Sequence, residues 1–398
     1  MAKGLEGTFS LNKTEAIHRW FEYMEGYSNS LVETELNKIG IKNVSSLYDP
    51  FGGSGTSLIS ASANNITPYY SETNPVMSFI CSTKINSVIA AKNNKSIVET
   101  INKHKEKVSS NLTYLKALPD YQGFEKFYTE ESLSTLLSIK QEIEKIKDLD
   151  AKALCKVALA SIDVKASKMI RRGDLRYARE KELQQKEKDI LSLYLNKLQQ
   201  IIDDIENTEV QLYQKVTKLA DDSRNIEANN LFDCVITSPP YLNGTNYIRN
   251  TKLELKLLDF IKTEKELPQL HSKGIIAGIN SVSSRSKIET LDCVKTILEQ
   301  LTPIAYDKRI PLMVAGYFYD MNTVLFKLSK GLKNHGKFIM DIGDSQFSGI
   351  HIPTHELLEV LALQHGFKKY DEEILRKRFS NNGMELTQRV LRFELIKD

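Results

Sequence analysis

The chain has 398 residues, 41% hydrophobic and 26% charged, enough for two domains or one large domain with insertions, and this composition excludes a chain disordered throughout. Lys and Arg outnumber Asp and Glu by only 54 to 51, so any case for a polyanionic partner must rest on where charges cluster. No run approaches the ~18 apolar residues of a membrane span, the first six residues lack the apolar core of a secretory signal, and a cytoplasmic location is expected. The four cysteines, Cys81, Cys155, Cys234 and Cys293, lie far apart and suggest buried thiols rather than a metal knuckle or disulfide scaffold.

In chain order, short apolar runs at 44–48 and 66–70 predict buried strands, each ending in polar or glycine-rich residues, with a helix-like stretch at 58–64 between them. No proline occurs between Pro119 and Pro239, and apolar residues such as Leu133, Leu136 and Ile143, then Leu191, Leu195, Leu198 and Ile202, recur at helical spacing. This stretch predicts long amphipathic helices, with an antiparallel pair turning near Arg172, Gly173 and Asp174. Strands follow at 232–236 and 337–342, and a hairpin is expected from 367–375 and 387–395, with Asn382-Gly383 in its connection.

The first strand runs into Asp49-Pro50-Phe51-Gly52-Gly53-Ser54-Gly55-Thr56. Glycines there let a ligand approach the exposed amides of a helix start. A phosphate loop would need a lysine before the hydroxyl residue, and Leu58 stands where the dinucleotide fingerprint needs its third glycine, so neither phosphate-binding pattern fits. Glu72, ending the second strand, is placed to accept hydrogen bonds from ribose hydroxyls. The strand at 232–236 leads into Thr237-Ser238-Pro239-Pro240-Tyr241. Consecutive prolines fix φ and remove two donors, which leaves an array of acceptors suited to the N–H groups of an exocyclic amine. Tyr241 offers a face on which an extruded base can stack.

Together these two motifs resemble the S-adenosylmethionine-dependent DNA amino-methyltransferases, which form N4-methylcytosine or N6-methyladenine. The resemblance covers roughly 1–90, 220–260 and 315–398. It implies a doubly wound, Rossmann-like α/β methyltransferase sheet with a large helical insertion and a C-terminal β-hairpin. It implies S-adenosylmethionine as cofactor and S-adenosylhomocysteine as product, with Asp49, Phe51, Gly53, Gly55, Thr56, Glu72 and Asp222 as cofactor residues. Asp221 is equally placed by type. Tyr27 and Ser28, at the end of the segment Trp20 to Ser28, resemble the family's N-terminal cofactor-closing motif. Ser238, Pro239, Pro240 and Tyr241 are the expected catalytic residues, and serine rather than aspartate at 238 leans toward cytosine N4, with adenine N6 the alternative. Carbon-5 chemistry needs a cysteine nucleophile, usually after a proline, and no cysteine follows one.

The expected organisation is 1–92 as the cofactor part, 93–218 as a helical insertion that reads DNA, and 219–398 as the catalytic part, with a loop-rich insertion near 262–312. Lys168, Arg171, Arg172, Arg176 and Arg179 form the densest basic stretch and are expected to meet phosphates of double-stranded DNA. The loop at 280–287 is a second candidate. Such an enzyme would serve restriction–modification or phage defence beside a cognate nuclease. An RNA methyltransferase or a non-catalytic recognition subunit are the rivals. His351 and His355, four apart, lack an evident third ligand, so no metal is expected.

Overall fold

The computed structural model describes residues 5–23, 26–186, 189–242, 245–284, 288–380 and 382–397. Eleven strands occur among them: β1 (Ser46–Asp49), β2 (Thr67–Ser71), β3 (Met169–Arg172), β4 (Asp174–Tyr177), β5 (Thr217–Ala220), β6 (Phe232–Thr237), β7 (Leu332–Gly343), β8 (Ser345–Phe347), β9 (Ile350–Ile352), β10 (Phe367–Phe379) and β11 (Glu385–Leu395). Seven form one sheet in the order β10-β11-β7-β6-β1-β2-β5. The five from β7 to β5 pair in parallel, and β11 runs antiparallel between β7 and β10.

Alternation along the strands explains why both faces are covered. Leu47, Ile236, Ile339 and Val390 point into one apolar cluster, shared with the helices Asn29–Ile39, Thr56–Ala63 and Pro75–Ser82 and with the insertion. Their neighbours Tyr48, Val235, Phe338, Met340 and Leu391 point into the other, filled by the helices Arg309–Gly331 and Thr354–Gln364. The architecture is therefore a doubly wound α/β sheet, as expected. From β1 the chain winds to β2 and β5 on one side, and later to β6 and β7 on the other. This reversal puts a crevice at the C-terminal ends of β1 and β6, where open α/β sheets take ligands.

The segment between β2 and β5 is mostly helical, led by Lys95–Asn111, Glu130–Glu144, Leu149–Ala166 and Ile190–Asn207. The expected helical turn near Gly173 is corrected: Met169–Arg172 and Asp174–Tyr177 are paired strands, and Gly173, at φ +75°, is the turn of a β-hairpin. The alternation Met169 buried, Ile170 half-buried, with Leu175 buried opposite, is a sheet pattern hidden by its brevity and its arginines. His351 lies on β9 and His355 in the helix after it, and they meet at Asp344, with His355 Nδ1 2.6 Å and His351 Nε2 3.6 Å from its carboxylate. Among the described residues no group of three or more His, Cys, Asp or Glu side chains is arranged so that it could hold a metal ion. No helix among them is long and apolar enough to cross a membrane.

Candidate active site

Parallel register brings the two motifs side by side, since Leu47 and Tyr48 of β1 pair with Cys234 and Val235 of β6. Just beyond these pairs the strand ends are tied: the Thr237 hydroxyl donates to Asp49 Oδ1 over 2.7 Å. Asp49 is buried and saturated, accepting also from the Phe51 N–H (3.0 Å), the Tyr27 hydroxyl (3.1 Å) and the Ser57 hydroxyl. Its burial pushes its carboxyl pKa up, against these hydrogen bonds. Asp49 therefore fixes the geometry beneath the site and does not line it.

The glycine turn closes through Gly55 N–H on Gly52 C=O (2.8 Å) and Gly52 N–H on Ser71 C=O (3.0 Å). Gly55 sits at φ +86°, and a Cβ there would stand 2.9 Å from Cys81 Sγ, so both conformation and space require glycine. Thr56 then begins the helix Thr56–Ala63, its hydroxyl accepting from Asn12 Nδ2 (3.2 Å). Glu72 reaches back from the end of β2, accepting from the Gly53 N–H at 2.8 Å and the Asn74 N–H at 2.7 Å. Desolvation raises its pKa.

A cavity of about 390 Å³ opens above these strand ends. One part of its wall is Tyr23, Pro50, Phe51, Glu72, Asp221 and Asp222, and another is Ser238 to Tyr241 with Asp341 and Gln388. Of the expected cofactor residues, Phe51, Glu72 and Asp222 line it. Gly53, Gly55 and Thr56 build the turn beside it. Tyr27 and Ser28 lie beneath: the Tyr27 hydroxyl bonds Asp49 and Ser28 caps the helix Asn29–Ile39 by accepting from the Leu31 N–H. Asp222 is held by Arg224, whose guanidinium also bonds Asp320, while Asp221 pairs with Lys218 at 2.6 Å. Within the Trp20 to Ser28 segment, Met24 and Glu25 lie outside the described residues.

Tyr241 is fixed at both ends, its N–H donating to the Tyr247 hydroxyl (3.0 Å) and its own hydroxyl to Asp341 Oδ2 (3.0 Å). A Cβ on Gly343 would come within 3.0 Å of the Tyr241 ring, so the strand beneath is bare where the ring lies. Asp341 is the principal group that the sequence did not reveal. It is buried on β7 and accepts from Gln388 Nε2 at 3.0 Å, and burial lifts its pKa to about 7 against the lowering effect of Gln388, Tyr241 and Ser238. Tyr23, Gln388, Arg376 and Arg378 were likewise not singled out, because only the folded sheet and the N-terminal segment bring them to the cavity.

The basic stretch divides. Arg171 donates to Asn250 C=O (2.9 and 2.6 Å) and Glu254 (2.5 Å), docking the β3–β4 hairpin against the helix that follows Tyr241. Arg176 pairs with Glu182 through both nitrogens at 3.0 Å, and Lys168 is half-buried. Arg172 and Arg179 are exposed. Of the 280–287 loop, Asn280 and Ser281 line the cavity, and Arg285, Ser286 and Lys287 lie outside the described residues.

A doubly wound sheet, a cavity at its topological switch, carboxylates at successive strand ends and a proline-fixed acceptor loop make this crevice the candidate ligand site of the fold. The relatives found by sequence similarity are methyltransferases. The chain is 25% identical to Type II methyltransferase M.BsoBI of Geobacillus stearothermophilus, across 95% of this chain and 84% of the relative. It is 26% identical to Type II methyltransferase M.AvaI of Nostoc sp. (90% and 81% covered) and 24% identical to Type II methyltransferase M.MvaI of Kocuria varians (92% and 84%). No family model matches the chain. Among solved structures, an rRNA methyltransferase, aviRa, from Streptomyces viridochromogenes aligns over 98% of this chain and 94% of its own at 8% identity and a TM-score of 0.32, too low a score to carry any argument.

Proposed function

We propose that the chain is an S-adenosylmethionine-dependent DNA methyltransferase of a restriction–modification system, acting on an exocyclic amine of a flipped base, with cytosine N4 the favoured nitrogen and adenine N6 the alternative. One observation carries this reading: Phe51 and Glu72 share a single cavity with Ser238, Pro239, Pro240 and Tyr241. Its volume of about 390 Å³ lies within the ~300–1,000 Å³ range of small-molecule sites.

The wall fits the cofactor's nucleoside. Glu72 would receive the ribose hydroxyls, Asp222 or Asp221 the adenine amine, and the glycine turn with Tyr23 and Phe51 would hold the remainder. When bound, the cofactor supplies an electrophilic methyl on sulfonium sulfur. Opposite it, the Ser238 hydroxyl and the carbonyls of the proline pair would accept the N–H groups of the target amine and aim its lone pair. Tyr241, immobilised by Tyr247 and Asp341, would stack on the base. Ser238, backed by Asp341, would accept the proton that the amine loses on methylation. A carboxyl near pKa 7 is matched to that task at neutral pH. Arg172 and Arg179, exposed on the insertion, would contact the DNA backbone.

The test is incubation of the purified chain with methyl-labelled cofactor, DNA of mixed sequence and RNA, followed by nucleoside analysis. Label in N4-methylcytosine is expected, and label in N6-methyladenine would select the alternative. Label on RNA alone, or on neither polymer, would reject the reading.

A further inference from the structure

A second groove of about 450 Å³ adjoins the first, and Thr8 and Tyr23 line both. Its floor is apolar, with Phe9, Phe21 and Met169 buried there. Its walls are basic, five lysine or arginine side chains facing two glutamates. Two of the five are committed internally: Arg171 to Asn250 and Glu254, and Lys186 Nζ to the carbonyls of Val164, Ser167 and Met169. The other three are exposed and only loosely balanced. Lys13 and Lys165 share Glu22 at 3.5 and 3.8 Å, and Arg172 stands 3.8 Å from Glu182. Pairs this long on exposed side chains contribute little and exchange readily for a better anion. The neighbour of Arg172 at the hairpin turn, Gly173, already lines the catalytic cavity.

We propose that this groove seats the sugar–phosphate backbone of the DNA strand that carries the target base, with Lys13, Lys165 and Arg172 as its phosphate contacts. The inference rests on the DNA-methyltransferase reading and adds to it a path for the strand. A continuous basic trough beside the cavity holds the backbone while the nucleotide turns inward past Thr8 and Tyr23, so that phosphate attraction offsets the few kcal/mol of unstacking. Lys165 and Arg172 belong to the basic stretch noted in the sequence, whereas Lys13, some 150 residues earlier, joins them only in the fold.

The experiment compares full-length wild type with the combined Lys13→Ala, Lys165→Ala and Arg172→Ala variant, using a DNA duplex that the wild type methylates. A control variant carries Lys42→Ala, Lys95→Ala and Lys103→Ala, three exposed lysines that line neither cavity. Each counterion-releasing contact contributes about 0.9 to the slope of log affinity against log salt, so the groove variant should lose about 2–3 from that slope. Its DNA affinity should fall at least tenfold while S-adenosylhomocysteine binds as in wild type. A wild type that methylates DNA, with a groove variant whose slope matches the control, overturns the groove and leaves the activity standing. A wild type that neither binds nor methylates DNA overturns both.

Discussion

Asp341→Asn separates the chemistry of the site from its architecture. Burial lifts the Asp341 carboxyl from 3.8 to about 7, so the folded state holds its proton more tightly than the unfolded chain. The stability from that proton is therefore fully present below pH 3.8, declines as pH rises, and is gone above about 7. At about 1.36 kcal/mol per pH unit the difference is on the order of 4 kcal/mol. Asparagine bears no charge to desolvate, so the variant should lack this slope and be the more stable protein at pH 8. Catalysis should move the opposite way. Wild-type single-turnover rate should rise with pH around a midpoint near 7, as Asp341 ionises behind Ser238. The variant should lose that inflection and fall 10- to 100-fold at pH 8, corresponding to roughly 1.5–3 kcal/mol for a charge-assisted hydrogen bond. Denaturant melts and rapid-quench methyl transfer across pH 5–9 measure both. A variant with the wild-type rate at pH 8, or one that keeps the inflection, would refute the proton-acceptor role.

Glu72→Ala should weaken S-adenosylhomocysteine at least 30-fold in a calorimetric titration, since it removes the ribose acceptor and the partner of the Gly53 and Asn74 amides; unchanged affinity would place the cofactor elsewhere. Gly55→Ala should lower stability by about 1–3 kcal/mol through its left-handed backbone and the crowding of Cys81, and adding Cys81→Ala should restore only part of the lost Tm, because the backbone strain stays. Asn250→Ala should free the β3–β4 hairpin, which it holds through the Leu175 N–H (2.8 Å) and the Gly173 carbonyl (2.7 Å). Faster amide exchange across 169–177 is the readout, and exchange as slow as in wild type would mean that other contacts dock the hairpin.

The glycine turn from Asp49 and the loop from Thr237 to Tyr241 were legible as strand ends because each lies in one continuous stretch where apolar run and polar turn abut. Strand β5 was not, since Thr217–Ala220 is a four-residue edge strand, half-exposed and containing Lys218, and offers no apolar run. The β3–β4 hairpin was masked by the same shortness and by its arginines. Asp341 and Gln388 escaped notice for another reason: they sit on adjacent strands nearly fifty positions apart, and only antiparallel pairing of β7 with β11 brings amide to carboxylate. Tyr27 and Ser28 matched a motif by position, yet the fold turns them inward to support Asp49 and a helix start, while Tyr23, four residues earlier in sequence, meets the cavity.

The most direct measurement is the structure of the chain with S-adenosylhomocysteine and a duplex bearing its target site. The account predicts ribose on Glu72, sulfur facing the loop from Ser238 to Tyr241, and one base turned out of the helix onto the Tyr241 ring. A cofactor seated away from Glu72, or a target base held outside the cavity that Phe51 and Tyr241 share, would contradict it.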